Sequence, residues 1–529
     1  APSGRADLPA PPFDLAAIDA TPDWRRGLAW PRAHPDSARL AEAVQGAVVA
    51  ALARLPAGEA RDIGVMMGGY VAATLLPLAE AAWLAVAERE TGIRLAGAAP
   101  ELEWLRGGLD APPPRRGGRS LKRHAPPRWP LPRRIARTAS WTPWPRLPLA
   151  LLRPQAVALS HNALLIDVAR RSGVRLGFVH GETLLPRGEE APAALPEPAR
   201  IAAEAVAAAA LDATALPAEM RERLAVLVQD QCAWFAGAAV RDLARLRDAR
   251  LPRHLWAGSG GYWPVRAVSL EVLRRGGTVT RFDHGGGTGL NRNRNTWALT
   301  DLAVSSRFFV ATDSLARRVS ASGAPALLAP ASGTAVAGGA GDPHVAQVPV
   351  ARAGSGARNR RTGLYGPGPL VGFRQVVPAL LPDPVALDWQ LRLVAALKAL
   401  PVDLICRPHP EGLLRGRRHP VADLVPPAAE PFEALVARAD VFVFDYVQST
   451  TFYVALCTDR PIVLLQMGPS SYDGEVAEAI ARRCRIVPVR FDDANLPQVD
   501  PAALEEAVCG GPDTADPAFF RAEILGEAR

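Results

Sequence analysis

Apolar residues recur along this chain with two different periods. Over 439–466 the sequence ADVFVFDYVQSTTFYVALCTDRPIVLLQ opens with an unbroken Val/Phe run and passes through a polar Asp-Tyr-Val-Gln-Ser-Thr-Thr loop. It then becomes helical until Arg460-Pro461, ahead of a second apolar run. A continuous β-branched and aromatic run bounded by turn residues predicts a strand buried on both faces. The segment therefore predicts a βαβ unit with its polar loop at the carboxyl end of the first strand. Similar runs predict strands at 156–160, 174–180, 254–257, 278–282 and 402–406, with helices over 162–172, 264–275 and 432–439. Strands alternating with helices predict parallel, doubly wound sheets.

The second period is helical. Residues 1–105 and 198–250 are rich in Ala and Leu at helical spacing. The most membrane-like run, 70–87, contains Pro77 and Glu80 and lacks a twenty-residue apolar stretch, so it predicts a buried helix. Between 107 and 148 the pattern breaks into PPPRRGGRSLKRH, PPRWPLPRRIAR and WTPWPRLP. Proline removes backbone donors and excludes helix, which predicts either a long crossover or a basic, Trp-bearing surface that sits on anionic lipid or an acidic glycan. The Ala/Gly/Ser/Pro stretch 321–361 has no period and predicts a linker. The expected division is a first Rossmann-like domain over 1–320 with a helical insert at 198–250, the linker, a second Rossmann-like domain over 362–500, and a helix in 501–529 crossing back.

A length of 529 residues favours two domains, and 49% hydrophobic with 22% charged residues is globular. The net charge of +8 would ordinarily raise nucleic acid or a membrane as partner. Here the basic residues are nearly all Arg, with Lys only at Lys122 and Lys398, a skew that reads as coding bias, so no nucleic-acid partner is expected. Five scattered cysteines (Cys232, Cys406, Cys457, Cys484, Cys509) form no metal spacing and no disulfide framework. Together with the lack of a signal-like start, they lead us to expect a cytoplasmic protein, with peripheral contact at the inner face of an anionic membrane. No Gly-x-x-x-x-Gly-Lys-Ser/Thr, His-Glu-x-x-His or Gly-x-Ser-x-Gly motif is present, and no strand-end Asp-x-Asp; a site free of metal and of cofactor is expected.

Candidate chemistry gathers at predicted strand ends. Ser449, Thr450 and Thr451 open a helix, where free N–H groups and the helix dipole favour a phosphate. Arg407, His409, Pro410 and Glu411 follow another strand of that sheet, so the expected donor site comprises these residues with Asp445 and Gln448. In the first domain His180-Gly181-Glu182 and Asp283-His284-Gly285-Gly286-Gly287 end strands. The three glycines predict a close approach by a ligand. Glu182, Asp283 and His284 are the expected catalytic groups. His180, Gly258, Ser259 and Gly260, with Gly285 to Gly287, are the expected sugar or acceptor contacts.

At these residues the chain resembles the two-domain GT-B glycosyltransferases of bacterial surface-carbohydrate biosynthesis. Asp283 to Gly289 is similar to the strand-end His-Gly-Gly segment of an uncharacterised group of such transferases, with Asp283 where that group shows Gln. Asp445-Tyr446 through Ser449-Thr450-Thr451-Phe452, then Ala455 and Arg460-Pro461, is similar to its second segment, with Tyr453 where Glu is commoner. His409-Pro410 and Ser449-Thr450 resemble the motifs by which bacterial sialyltransferases and β-Kdo transferases grip CMP, and CDP-glycerol polymerases share a related pair. The resemblance covers roughly 155–320 and 363–470. It implies two Rossmann-like domains facing a cleft. It also implies metal-independent transfer of an acidic sugar, such as Kdo or sialic acid, from a CMP-linked donor to a surface glycan or glycolipid. A CDP-polyol phosphotransferase and a non-catalytic glycan- or membrane-binding protein are the rival readings.

Overall fold

A computed structural model describes residues 10–115, 135–136, 138–139, 147–185, 194–258, 261–348, 360–372, 379–512 and 514–528. Two six-stranded sheets form its centre. The first contains β1 (Ala156–Ala158), β2 (Leu176–Phe178), β3 (His254–Ala257), β4 (Thr278–Phe282), β5 (Arg307–Val310) and β6 (Ala335–Gly338) in the order β2-β1-β3-β4-β5-β6, every pairing parallel. The second contains β7 (Arg361–Gly366), β8 (Val402–Cys406), β9 (Val441–Phe444), β10 (Ile462–Met467), β11 (Cys484–Phe491) and β12 (Pro497–Val499) in the order β12-β11-β10-β9-β7-β8, with only β12 antiparallel. Counted along the chain, both sheets have the same strand order, 2-1-3-4-5-6. The fold is thus two doubly wound α/β units, the GT-B class of layout that the strand–helix alternation and the resemblance imply.

The central strands are buried as their composition requires: every residue of β9 is fully covered. One segment differs from expectation. Residues 335–338, read from composition as linker, form the edge strand β6 beside β5. An edge strand pairs on one side only and stays partly solvated, so its Ala-Val-Ala-Gly sequence carries no alternation to betray it. Gly338 is required there, since a Cβ would lie 2.1 Å from the Asp313 nitrogen.

The two helical regions that flank the first sheet in sequence meet in space. Helices His34–Arg54, Glu59–Thr91, Glu197–Ala213 and Ala218–Leu246 pack into one bundle continuous with the core beneath β3 and β4. Alanines dominate the buried face of Glu197–Ala213, which lets its neighbours come close. Among the described residues, Glu59–Thr91 alone is long and apolar enough to cross a membrane; its most apolar 18 residues have a mean hydropathy of 1.6, and 83% of them are buried in the bundle. Its Glu80 is buried, accepts a hydrogen bond from Ser37 Oγ (2.6 Å) and lies 3.6 Å from Arg32 Nε. Burial pushes its carboxyl above the ordinary range despite Arg32.

The sheets are not separate bodies. One apolar core runs from Phe308, Val310 and Leu315 of the first unit to Phe442, Phe444 and Phe452 of the second, and takes in Phe520 and Ile524 of the helix Ala518–Leu525. That helix lies on the first unit. The Thr312 hydroxyl donates to the Glu523 carbonyl (2.5 Å), the Asp342 N–H to the Ile524 carbonyl (2.8 Å), and Arg318 Nε to the Glu523 carboxylate (3.0 Å). Of the Pro/Arg/Trp segment, Arg115 forms a two-pronged ion pair with Asp230 (2.6 and 2.7 Å); most of the remainder lies outside the described residues.

Candidate functional site

In the second sheet the polar loop after β9 is largely satisfied by its own unit. Ser449 caps the helix Thr450–Leu456, its Oγ accepting from Phe452 N (3.3 Å) and lying 2.6 Å from Thr451 Oγ1. Asp445 is held by three donors, Tyr365 Oη (2.6 Å), Trp389 Nε1 (2.9 Å) and Gly368 N (3.1 Å), and burial raises its pKa against their pull. It thereby locks the crevice between β7 and β9, the point where the strand order reverses. Asp445 and Ser449, expected as donor contacts, thus have partners within their own unit, and Asp445 also lines the cavity described below.

His409 and Ser449 are not on adjacent strands. β7 lies between β8 and β9, so the two loops are separated by two strand spacings, roughly 10 Å. His409 is half-buried; its Nδ1 accepts from Glu411 N (3.2 Å), and burial lowers its pKa, which keeps the ring neutral at physiological pH. Glu411 itself pairs at the surface with Arg415. Arg407 lies near Glu433, whose carboxylate meets His344 Nε2 of the first unit at 3.1 Å. Pro410 is exposed.

At the end of β4, Asp283 Oδ1 accepts from His284 N (2.8 Å) and Thr288 Oγ1 (2.6 Å), whereas Oδ2 is buried with no hydrogen-bond partner. Burial, reinforced by Asp342 and Asp301 and opposed by those two donors, lifts its pKa to about 6. The His284 ring is exposed. The three glycines that follow do not leave an open approach. A Cβ at Gly285 would meet Thr450 Oγ1 at 2.5 Å, one at Gly286 would meet Asp342 Oδ2 at 3.1 Å, and one at Gly287 would fall 2.3 Å from the Tyr453 ring. Gly285 and Gly287 thus lie against the helix Thr450–Leu456 of the second unit, and Gly286 lies against Asp342 and Ile524.

Glu182, expected to act with Asp283, stands at a distant strand end. It follows β2, and β1 and β3 intervene before β4, so its strand lies roughly 14 Å from that of Asp283. It is buried, accepts from Tyr262 Oη, and lies 3.7 Å from His180 Nδ1. Gly258 donates to Ser160 Oγ (2.6 Å) at the reversal between β1 and β3. Ser259 and Gly260 lie outside the described residues.

A cavity of about 1030 Å³ lies elsewhere between the units. The loop 289–295 beyond β4 forms one wall, the loops after β9 and β10 form the other, and the helix His34–Arg54 closes one side. Asp445 and Gln448 line it; His409, Asp283, His284 and Glu182 do not. Gln448 Nε2 and His34 Nδ1 both reach this wall as buried atoms without a hydrogen-bond partner. Burial lowers the His34 imidazole to about 4, so the ring stays neutral and can hydrogen-bond a hydroxyl group; it stacks on Phe491 at 5.5 Å. Arg292, Arg294 and the Gly-Pro-Ser-Ser turn 468–471 were not anticipated. The signal for them was the alternating Asn-Arg-Asn-Arg-Asn of 291–295, a few residues after the glycines. Among the described residues no group of three His, Cys, Asp or Glu is placed to hold a metal.

No family model matches this chain, and no curated protein does. Among solved structures, the chain is similar to a complex between a UDP-glucosyltransferase from Polygonum tinctorium capable of glucosylating indoxyl and 3,4-dichloroaniline, at 10% identity over 70% of this chain and 91% of that one, with a TM-score of 0.32.

Proposed function

We propose that the protein is a glycosyltransferase that moves a sugar from a nucleotide-activated donor to a glycan or glycolipid acceptor in the cavity between its two sheets. The observation that carries this reading is the placement of that cavity. Open α/β sheets bind ligands outside the carboxyl ends of their strands, and here the loops beyond β4 of one sheet and β9 and β10 of the other face the same space. Two such edges across one cavity allow one unit to hold the donor and the other the acceptor. A volume of about 1030 Å³ suits a substrate larger than a free nucleotide.

The donor we favour is CMP-linked, on the resemblance of His409-Pro410 and Ser449-Thr450 to CMP-gripping motifs. Its sugar is an acidic nonulosonate, with transfer independent of metal because Arg side chains meet the phosphate charge. Peripheral contact with an anionic membrane at the cytoplasmic face belongs to the same proposal. The test is a thermal-shift screen of CMP, CDP, UDP and GDP, since a ligand that binds only the folded state raises the melting temperature. Donor hydrolysis without acceptor follows. Stabilisation by CMP and release of CMP from a CMP-sugar support the proposal. Stabilisation by UDP alone removes the CMP assignment. Turnover of CDP-glycerol favours the phosphotransferase, and binding of no nucleotide removes the transferase reading.

A further inference from the structure

The loop 290–295 is built so that its asparagines hold it in place and its arginines project. Asn291 donates through Nδ2 to the Gly287 carbonyl (3.3 Å) and to Tyr453 Oη (3.4 Å), and its backbone forms a bridge to Tyr472 of the second unit. The Asn291 Oδ1 accepts from Asn293 N (3.1 Å), and Arg292 N donates to the Ser471 carbonyl (3.0 Å). Exposure alternates along the loop, with Arg292 and Arg294 exposed and the three asparagines half-buried. Arg294 opens the short helix Arg294–Thr300, and both arginines line the cavity. Arg292 has one carboxylate contact, Nη1 to Asp473 Oδ1 at 3.4 Å, with both side chains well exposed (44% and 71%). Among the described residues no carboxylate lies in ion-pair range of Arg294. The nearby helix His34–Arg54 adds Glu42 to the wall and an Arg39 already paired to Asp36.

We propose that Arg292 and Arg294 are the seat of a phosphate group in the cavity, with Asp473 occupying Arg292 until the phosphate displaces it. An exposed, single-contact ion pair contributes little. A phosphate offers each guanidinium a forked, charge-assisted pair of hydrogen bonds, which is stronger. The loop is already fixed by its asparagines and by the bridge to Tyr472, so little ordering opposes binding. The consequence is that the anionic part of the ligand is gripped from the first unit, whereas the motifs in the second were expected to do it. The assignment of that phosphate to a nucleotide donor rests on the proposed transferase function; the seat itself does not.

Calorimetric titration with inorganic pyrophosphate tests the seat, using the wild type, Arg294→Met, Arg292→Met and Asp473→Asn. Loss of a charge-assisted contact weakens binding roughly tenfold to a hundredfold in either Arg variant, with unfolding temperatures unchanged because both side chains are exposed. Asp473→Asn removes the competing carboxylate and tightens binding severalfold, which a merely structural Asp473 would not do. No pyrophosphate binding by the wild type, wild-type affinity in either Arg variant, or weaker binding in Asp473→Asn overturns the seat. Competition by CMP, CDP, UDP and GDP separates the two proposals. If pyrophosphate binds with these variant effects and no nucleotide displaces it, the seat stands, the phosphate belongs to an acceptor, and the donor reading fails. If nucleotides bind the Arg variants as tightly as the wild type, the donor's phosphate does not occupy this seat and the donor reading is untouched.

Discussion

Gly287→Ala tests how the two units are joined. The backbone at Gly287 lies outside the left-handed region, so alanine meets no conformational penalty there and the substitution isolates close approach. The new methyl would fall 2.3 Å from Tyr453 Cε2, 2.4 Å from Cζ and 2.6 Å from Oη. The Tyr453 ring is 4% exposed and rigid, and cannot swing aside as an aliphatic tip would. Either the loop lifts from the helix Thr450–Leu456 or the ring turns and gives up its bond to Asn291. Overpacking of this kind costs about 1–3 kcal/mol and a lost hydrogen bond about 1 kcal/mol, roughly 2–4 kcal/mol together. Thermal unfolding followed by circular dichroism should fall by a few degrees. Tyr453→Ala removes the obstacle at its own expense of about 3–5 kcal/mol. The double variant should therefore be more stable than the sum of the singles by about 1–3 kcal/mol. Wild-type stability of Gly287→Ala, or strictly additive effects in the double variant, would refute the claim that this glycine exists to admit the tyrosine.

Three other outcomes are expected. Asp283 titrates near 6 in the fold, above its ordinary value near 4, so its protonated form is favoured there; stability from this group is fully present below about pH 4 and is lost as pH rises through about 6. Asp383, also raised to about 6 by burial, contributes a slope of the same sign, so Asp283→Asn should flatten, without abolishing, the fall in unfolding temperature between pH 4 and 6; an unchanged slope counts against the buried carboxylate. Tyr365→Phe leaves Asp445 with two of its three donors and should destabilise by about 1–3 kcal/mol, with denaturant unfolding as the measurement and no change as the contrary result. Burial pushes the thiols of Cys232, Cys406, Cys457 and Cys484 up to about 12, while Cys509 is only half-buried. A thiol-reactive disulfide reagent should therefore label one cysteine quickly in the native protein, and Cys509→Ser should remove that phase; five equal rates would contradict the burial pattern.

The parts of this architecture that were readable in advance are those written in local pattern. The Val/Phe run of β9, its polar loop and the apolar β10 specify a βαβ unit without help from the rest of the chain. The bundle was not readable as a bundle, because the helices of 34–91 and 197–246 are separated in the chain by β1 and β2 and their contacts are long-range. Site geometry was the least legible. Local sequence places His409 and Ser449 at strand ends, but the order of strands, with β7 between them, is a long-range property. The glycines 285–287 led us to expect close approach by a ligand, and local sequence says nothing of which protein groups lie against them. That the neighbour is Tyr453 and Thr450 of the protein itself depends on how the two sheets pack. The Asn/Arg alternation at 291–295 was visible but short, and its meaning depends on the bridge to Tyr472.

The return of the helix Ala518–Leu525 to the first unit has a consequence for synthesis. β6, the last strand of the first sheet, has emerged from the ribosome long before this helix is made. At 5–20 residues per second the interval is roughly 10–40 s. Throughout it the seat for Phe520 and Ile524 stays bare, and the Thr312 hydroxyl and Asp342 N–H lack their final acceptors. The first unit therefore waits, half-finished and with an apolar groove exposed, while the whole of the second is translated and folds beside it. A nascent chain halted near residue 510 should bind a hydrophobic-surface dye and be cut readily by protease within 307–345, and extension through residue 528 should abolish both.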